Sequence, residues 1–381
     1  MFDFTVTEEQ QALIDVSRRF AKERIAPIAA ECDRLSRFPR EVFEEAWKIG
    51  LVNPTVSPDY GGAGLGDVES CMITEELAYA CAGIQTSLTA NTLALTPIKL
   101  GGTEAQKKKY LGWLTSEPVL ASYATTEPAA GSDVAGMQCK AIKQTDGSYV
   151  LNGTKAWITN ANHASFYVIF ATIDADLRHK GIGAFIVHRD QSGVTPGKHE
   201  DKLGQRASDT AQVTLEDVHV PADRVLAEPG HGFKLAMETF NQTRPEIGAL
   251  AVGIMRRCLD ESVAYAKERK TFGVPIAQHQ LVQHMIAEMG IRLEATTLLV
   301  RKAAWALDNG IRNPIHSSYA KAFGADAAVQ SSLDAIQIFG GNGYVKEYPV
   351  EKLLRDAKLL QIYEGTAQVQ RLVIAKNLLA G

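Results

Sequence analysis

Tyr149-Val150-Leu151-Asn152-Gly153-Thr154-Lys155-Ala156-Trp157-Ile158-Thr159 is the stretch whose reading decides the fold. Two runs of β-branched and aromatic residues flank an Asn-Gly pair, whose tolerance of positive φ suits a two-residue hairpin turn. The spacing predicts a β-hairpin here, with Asp146-Gly147 marking another turn just before it. Further β-rich runs occupy 166–171, 184–187 and 213–220, the last closed by Pro221. The middle third therefore reads as a β domain of antiparallel character.

On either side of it the period is helical. Thr7-Glu8-Glu9-Gln10 has capping-box spacing and leads into Leu13, Val16, Phe20 and Arg24 at helical intervals, until Pro27. Helical patterns recur at 40–49, 67–80, 84–95 and 104–114, broken by Pro39, Pro58, Gly61-Gly62, Gly83 and Gly101-Gly102. The cluster from Gly61 to Gly66 follows no strand-like run, so it reads as a turn rather than a dinucleotide fingerprint. Long helices return at 233–269, 277–309 and 315–339, with apolar residues at threes and fours such as Leu281, Met285, Met289 and Leu293. The fold class is α+β: an N-terminal helical domain (1–118), a middle β domain (119–232) and a C-terminal helical bundle (233–381). A doubly wound nucleotide fold would alternate strand and helix throughout, and this chain does not.

Charge removes other classes. With 40 basic and 44 acidic side chains the net charge is −4, which offers no global attraction for nucleic acid or anionic lipid. Lys107-Lys108-Lys109 is short and helical, a solvated face. Cys32, Cys71, Cys81, Cys139 and Cys258 are widely spaced, which indicates neither a zinc site nor a disulfide framework. Met1-Phe2-Asp3-Phe4 lacks a leader's basic and apolar regions, and no apolar run reaches the ~18 residues of a membrane span. The expectation is a cytoplasmic protein of bacterial type.

Chemistry concentrates in two places. Tyr123-Ala124-Thr125-Thr126-Glu127-Pro128-Ala129-Ala130-Gly131-Ser132-Asp133 gathers hydroxyls and backbone donors ahead of the strands, which suits a polar heterocycle or phosphate and equally a side-chain-stabilised turn. Near the end, Gln361-Ile362-Tyr363-Glu364-Gly365-Thr366-Ala367-Gln368-Val369-Gln370-Arg371 sets a glutamate among apolar Leu359, Leu360, Ile362, Leu372 and Val373. Desolvation raises such an acid's pKa, as a general base at neutral pH requires, although a helix-capping or solvated glutamate has the same spacing.

The closing motif Tyr-Glu-Gly-Thr-Ala-Gln-Val-Gln-Arg resembles that of the acyl-CoA dehydrogenases, and the resemblance covers the entire chain. A second signature, spaced from Gln337 through Glu347 and Lys352 to Asp356, matches without a gap. The medium-chain and short-chain branch is the most similar. The resemblance implies a C-terminal four-helix bundle, FAD as cofactor, and Glu364 as the base that takes the α-proton of an acyl-CoA while the β-hydride passes to the flavin. The product is a trans-2-enoyl-CoA.

By the same resemblance the flavin contacts are Tyr123, Thr125, Thr126, Gly131, Ser132, Trp157, Ile158, Thr159, Thr366 and Gln368. A neighbouring subunit's flavin is reached by Arg269, Thr271, Phe272, His279, Gln280, Gln337, Gly340 and Gly341. The family usually has an aliphatic residue where this chain has Thr125, and the added hydroxyl reads as tuning. Substrate contacts are Ser132, Thr86, Thr89, Asn241, Thr243, Arg244, Tyr363 and Gly365, the acyl carbonyl being polarised by the Glu364 N–H. Some members place the base at the position of Thr243, where threonine cannot serve. Glu246 is a further acid close by.

The segment from Gly83 to Asn91 resembles the pocket-lining helix of the medium-chain branch and lacks the arginine of the dicarboxylyl branch, which implies an uncharged acyl tail. Also implied are a homotetramer and an electron-transfer flavoprotein as partner, with neither nucleic acid nor membrane. An acyl-CoA oxidase-like, desulfinating or other flavin-dependent acyl-CoA enzyme on the same fold and a non-catalytic DNA-binding relative are the alternatives. The intact Glu364 disfavours a base-less lyase, the length of the chain disfavours the larger oxidases, and its last residues, which carry no basic extension, disfavour the DNA-binding relative.

Overall fold

The computed structural model describes residues 5–311 and 314–380. Met1 to Phe4, on which the leader expectation rests, lie outside them. Helix α1 (Glu8–Phe20) starts on the expected capping box, with Thr7 and Gln10 exchanging side-chain and backbone bonds. It does not stop at Pro27. A π-helical turn (Ala21–Ile25) shifts the hydrogen-bond register and α2 (Ala26–Leu35) carries on, with Pro27 in its first turn, where a missing N–H is tolerated. Next come α3 (Arg40–Lys48), α4 (Asp67–Ala80), α5 (Ala82–Gly101) and α6 (Glu104–Ser116).

The β domain holds β1 (Leu120–Ala124), β2 (Lys140–Lys143), β3 (Tyr149–Thr159), β4 (Ala164–Thr172), β5 (Ile182–His188), β6 (Val194–Pro196), β7 (Thr210–Val220) and β8 (Val225–Ala227). Its order is β6-β7-β3-β2-β4-β5-β8, with β1 beside β4. Most pairs are antiparallel as expected, but β1 and β2 run parallel to β4.

The predicted hairpin at Asn152-Gly153 is not there. β3 is one strand paired with β7 from Tyr149↔Val220 to Thr159↔Thr210, and the Asn-Gly pair sits at a register shift within it. The Asn152 amide donates to Asp217 Oδ1 and accepts from Asp217 N, and a Cβ on Gly153 would stand 2.8 Å from Cys139 Cα. This glycine serves close strand approach at a bulge rather than a reversal. The reversal is at Asp146-Gly147, where Gln144 N–H bonds Ser148 O at 2.8 Å.

β4 explains how the layers meet. Phe166, Val168 and Phe170 pack with Leu95, Ile98 and Leu114 of the helical layer, whereas Tyr167, Ile169 and Ala171 pack with Leu151, Val213 and Val218 across the sheet. A strand covered on both faces reads as a continuous apolar run, and each fully buried large side chain contributes about 1.5–3 kcal/mol.

α7 (Gly232–Glu268) then leads to a two-stranded ribbon, β9 (Lys270–Thr271) and β10 (Val274–Pro275), which the sequence reading passed over. α8 (Gln280–Asp308), α9 (Pro314–Phe339), α10 (Val350–Leu360) and α11 (Ala367–Ala380) complete the C-terminal helical domain. Leu250, Ile254 and Met255 of α7 pack against Ala325, Ala328 and Ala335 of α9. Among the described residues no helix is long and apolar enough to cross a membrane.

α4, deep between α5 and α7, carries buried acids. Burial pushes Asp67 and Glu75 up to about 7 and Glu246 of α7 up to about 8. These groups stay protonated when native at pH values where the unfolded chain has released its protons, so stability falls as pH rises from the ordinary carboxylate range toward about 8. Urea midpoints from about pH 5 to about pH 8 should show this decline, with a shallower slope in Glu246→Gln. An unchanged slope in that variant would contradict the assignment.

Candidate active site

Glu364 lies in the turn between α10 and α11, in the left-handed region at φ 53°, followed by Gly365 at φ 85°. The turn is pinned from three helices. From α7, Thr243 Oγ1 donates to Glu364 Oε2 at 2.7 Å, and Arg244 Nε approaches Glu364 O at 3.4 Å while Nη1 donates to Asn241 Oδ1 at 2.8 Å. From α9, Lys321 Nζ donates to Gly365 O, and from α11 Gln370 Nε2 donates to the same oxygen at 3.1 Å. The positive φ of Gly365 favours glycine, and a Cβ there would fall 2.6 Å from Gln370 Nε2 and displace that amide from the turn.

Glu364 is half-buried. Desolvation raises its pKa, opposed by the Thr243 hydroxyl and the charges of Arg244 and Lys321. The same burial pushes Lys321 down to about 8. Among the described residues, no oxygen accepts the Glu364 N–H. The site therefore presents a destabilised carboxylate beside a free backbone donor.

The loop ahead of the strands faces this turn. Tyr123 is buried against Phe170 and Phe240, and its phenol, raised mainly by burial, feels the charges of Glu364 and Arg244. Thr125 is buried with its Oγ1 beside the Tyr123 phenol and bonding nothing else, and Gly131 and Ser132 are exposed. Trp157, at φ 60° in a second β3 bulge, holds its indole 62% exposed. Thr126 O accepts from Ala156 N and Thr159 O from Ser122 Oγ, which fixes this edge. The Ile158 side chain faces the sheet core, leaving its backbone as the available contact.

Other expected residues have internal partners. Thr86 Oγ1 donates to Gln205 Oε1 at 2.7 Å, Thr89 accepts from Gln85 Nε2 at 2.6 Å, and Tyr363 lies beside Thr86 and Gln205. Thr366 Oγ1 accepts from Val369 N at the start of α11, and Gln368 is exposed. Glu127 is a structural pin rather than a site acid. Buried, it accepts from Gln138 N, Cys139 N and, at 2.7 Å, Lys155 Nζ. Asp356 of the second signature likewise holds Gln205 N and pairs with Lys352.

The remaining residues gather at the opposite end of α7. Thr271 Oγ1 and His279 Nε2 are 2.8 Å apart, Phe272 is 96% exposed beside that ring, and Gln337, Gly340 and Gly341 are exposed where Phe339 stacks on Tyr265. Thr243 and Arg269 are separated by ~39 Å of helix at 1.5 Å per residue. One chain thus carries two clusters that cannot meet on one small molecule. Lys321, Gln370 and Gln205 escaped the sequence reading; a lysine amid the small residues of α9 was the one signal for them.

Comparison with known proteins agrees with this geometry. The chain matches the acyl-CoA dehydrogenase N-terminal domain over 7–118, the middle domain over 122–218 and the C-terminal domain over 230–379. It is 45% identical over 379 residues to the probable medium-chain specific acyl-CoA dehydrogenase 2, mitochondrial, of Caenorhabditis briggsae, covering 99% of this chain and 92% of that one. Butyryl-CoA dehydrogenase from Megasphaera elsdenii superimposes with TM-score 0.97 at 38% identity, covering 99% of this chain and 100% of the other. A chain from the structural study of the electron transferring flavoprotein of Acidaminococcus fermentans gives TM-score 0.97 at 39% identity, with 100% of both chains covered. The protein belongs to the acyl-CoA dehydrogenase family, flavin-dependent oxidoreductases that act on acyl-CoA.

Proposed function

We propose that the chain removes the α-proton of a fatty acyl-CoA with Glu364 and opens the β-oxidation of a straight, branched or cyclic acyl group. The observation that carries this is the Glu364 carboxylate, destabilised by burial and held by Thr243 beside an unused N–H. The N–H is placed to receive the thioester carbonyl, where enolate charge develops as the α-proton leaves. Arg244, Lys321 and Gln370 hold the turn, so these donors need no rearrangement.

FAD fits the first cluster. Thr125 Oγ1 and Tyr123 Oη are buried hydroxyls with no partner beyond each other, and the Trp157 indole is exposed. Tyr123, Thr125, Thr126, Gly131, Ser132, Trp157, Ile158, Thr159, Thr366 and Gln368 would hold it, and when bound it supplies the acceptor for the β-hydride. Arg269, Thr271, Phe272, His279, Gln280, Gln337, Gly340 and Gly341 would serve the FAD of a neighbouring subunit, because α7 separates the clusters. This supports an oligomer, a homotetramer in our reading, with an electron-transfer flavoprotein as electron acceptor. The test is anaerobic mixing of FAD-loaded protein with acyl-CoA thioesters; a flavin that stays oxidised with all of them refutes the reading.

Thr243 tunes the base. Its hydroxyl stabilises the ionised carboxylate, so Thr243→Val should raise the Glu364 pKa and move the acid limb of the pH profile of flavin reduction upward. A limb that moves down or stays in place would contradict this role.

A further inference from the structure

Gln205, in the connection between β6 and β7, is 0% exposed and sits in the left-handed region at φ 47°. A residue other than glycine is strained there and stays only where its surroundings hold it. Each polar atom of Gln205 is engaged: its N–H donates to Asp356 Oδ1, its O accepts from Ser208 N at 3.0 Å, and its Nε2 donates to Asp356 O at 3.1 Å. Its Oε1 accepts from Thr86 Oγ1 at 2.7 Å. A Cβ on Gly83 would stand 2.9 Å from Gln205 Cα, so α5 lies directly against this loop.

The arrangement presents two oxygens to Tyr363. The Tyr363 hydroxyl is buried beside Thr86 and Gln205 and has no partner elsewhere among the described residues. Thr86 gives its proton to Gln205, so both oxygens are left as acceptors and the phenol is the donor. Tyr363 supplies the carbonyl half of the peptide whose other half is the Glu364 N–H. Beyond that peptide, Arg244 and Gln370 grip Glu364 O, and Lys321 grips Gly365 O. Before it, the turn is held by Tyr363 N on Leu359 O at 3.2 Å and by the phenol. Rotation of the Tyr363 backbone swings the Glu364 N–H, and a ring fixed at its far end resists that rotation.

We propose that Gln205 is a positioning residue for proton abstraction: with Thr86 it fixes the Tyr363 phenol, and through it the direction of the Glu364 N–H toward the thioester carbonyl. The inference rests on the acyl-CoA reading above and adds to it a buried residue of the β domain that acts only through its neighbours. Thr86, expected as an acyl contact, serves the turn with its hydroxyl.

The test is stopped-flow flavin reduction by FAD-loaded wild type, Tyr363→Phe, Gln205→Met and the double variant over a range of acyl-CoA concentrations. Each single variant should lower the limiting rate by about ten- to hundredfold, the scale of a misplaced donor, with the half-saturating concentration within about threefold of wild type. Because both act through one phenol, the double variant should be no slower than the slower single one. Isosteric Thr86→Val breaks the same chain and replaces Gln205→Met should that variant not fold. A 3-ketoacyl-CoA bound in place of substrate should ionise to its enolate on Tyr363→Phe at a pH higher by about one unit, the equivalent of a tenfold loss of enolate stabilisation. A merely structural tyrosine would leave that pH where wild type has it. A single variant at the wild-type rate, effects that multiply in the double variant, or an unchanged ionisation pH overturns the inference while Glu364 keeps its role. A wild-type flavin that no thioester reduces overturns both.

Discussion

Glu364→Gln is expected to fold, retain FAD and lose dehydrogenation by about 10²–10⁴-fold or more, the range attributed to a positioned general base. Glutamine has the same shape and still accepts from Thr243 through its amide oxygen, so the turn pinned by Arg244, Lys321 and Gln370 persists. What disappears is the one group of this cluster that can take a proton: Thr243 is a weak acid, Arg244 is cationic, and Lys321 is committed to Gly365 O. Steady-state turnover beside the flavin spectrum of the purified variant checks both halves. Turnover at the wild-type rate would remove Glu364 from the mechanism.

The second large effect is on stability. Lys155→Met should destabilise the protein by about 3–5 kcal/mol and weaken FAD retention, because it strands a carboxylate in the interior. Lys155 is 0% and Glu127 5% exposed, and the ammonium also donates to Thr125 O at 3.2 Å. The pair therefore ties the middle of β3 to the loop that carries Tyr123, Thr125 and Thr126. Replacing both partners with apolar residues should recover much of the loss, since the large penalty belongs to the unpaired charge rather than to the bridge. Urea unfolding of the single and double variants measures this, and a Lys155→Met protein as stable as wild type would contradict the assigned role.

Lys155 and Glu127 also show where sequence reading stops. Glu127 stands in a polar string that a ligand loop shares with a solvated loop and Lys155 in a strand-like run, and only the fold shows that they are buried against each other. The layered order of the chain was legible because period is local: a repeat of three and four residues on either side of β-rich runs needs no tertiary knowledge. Asn152-Gly153 was misread because the glycine answers a neighbour distant in sequence, Cys139, rather than a local reversal. Pro27 was misread as a stop because a π-helical turn, which reassigns the hydrogen bond that proline would break, leaves no residue signature.

The same division runs through the site. Glu364 and Thr243 lie in motifs that stand out along the chain, yet their contact spans 121 residues and appears only after folding. Lys321 and Gln370 complete the turn by approaching backbone oxygens, which impose no pattern on sequence beyond a polar residue in an apolar face. Glu246 attracts notice as an acid among apolar neighbours, but its free oxygen and the cavity it lines are facts of packing.

The central claim is that the Glu364 carboxylate takes the α-proton, and exchange isolates that step from electron transfer. An acyl-CoA analogue with no hydrogen on its β-carbon, incubated with FAD-loaded protein in heavy water, should gain deuterium at the α-carbon with wild type and none with Glu364→Gln. Equal deuterium uptake by the two proteins would contradict the account.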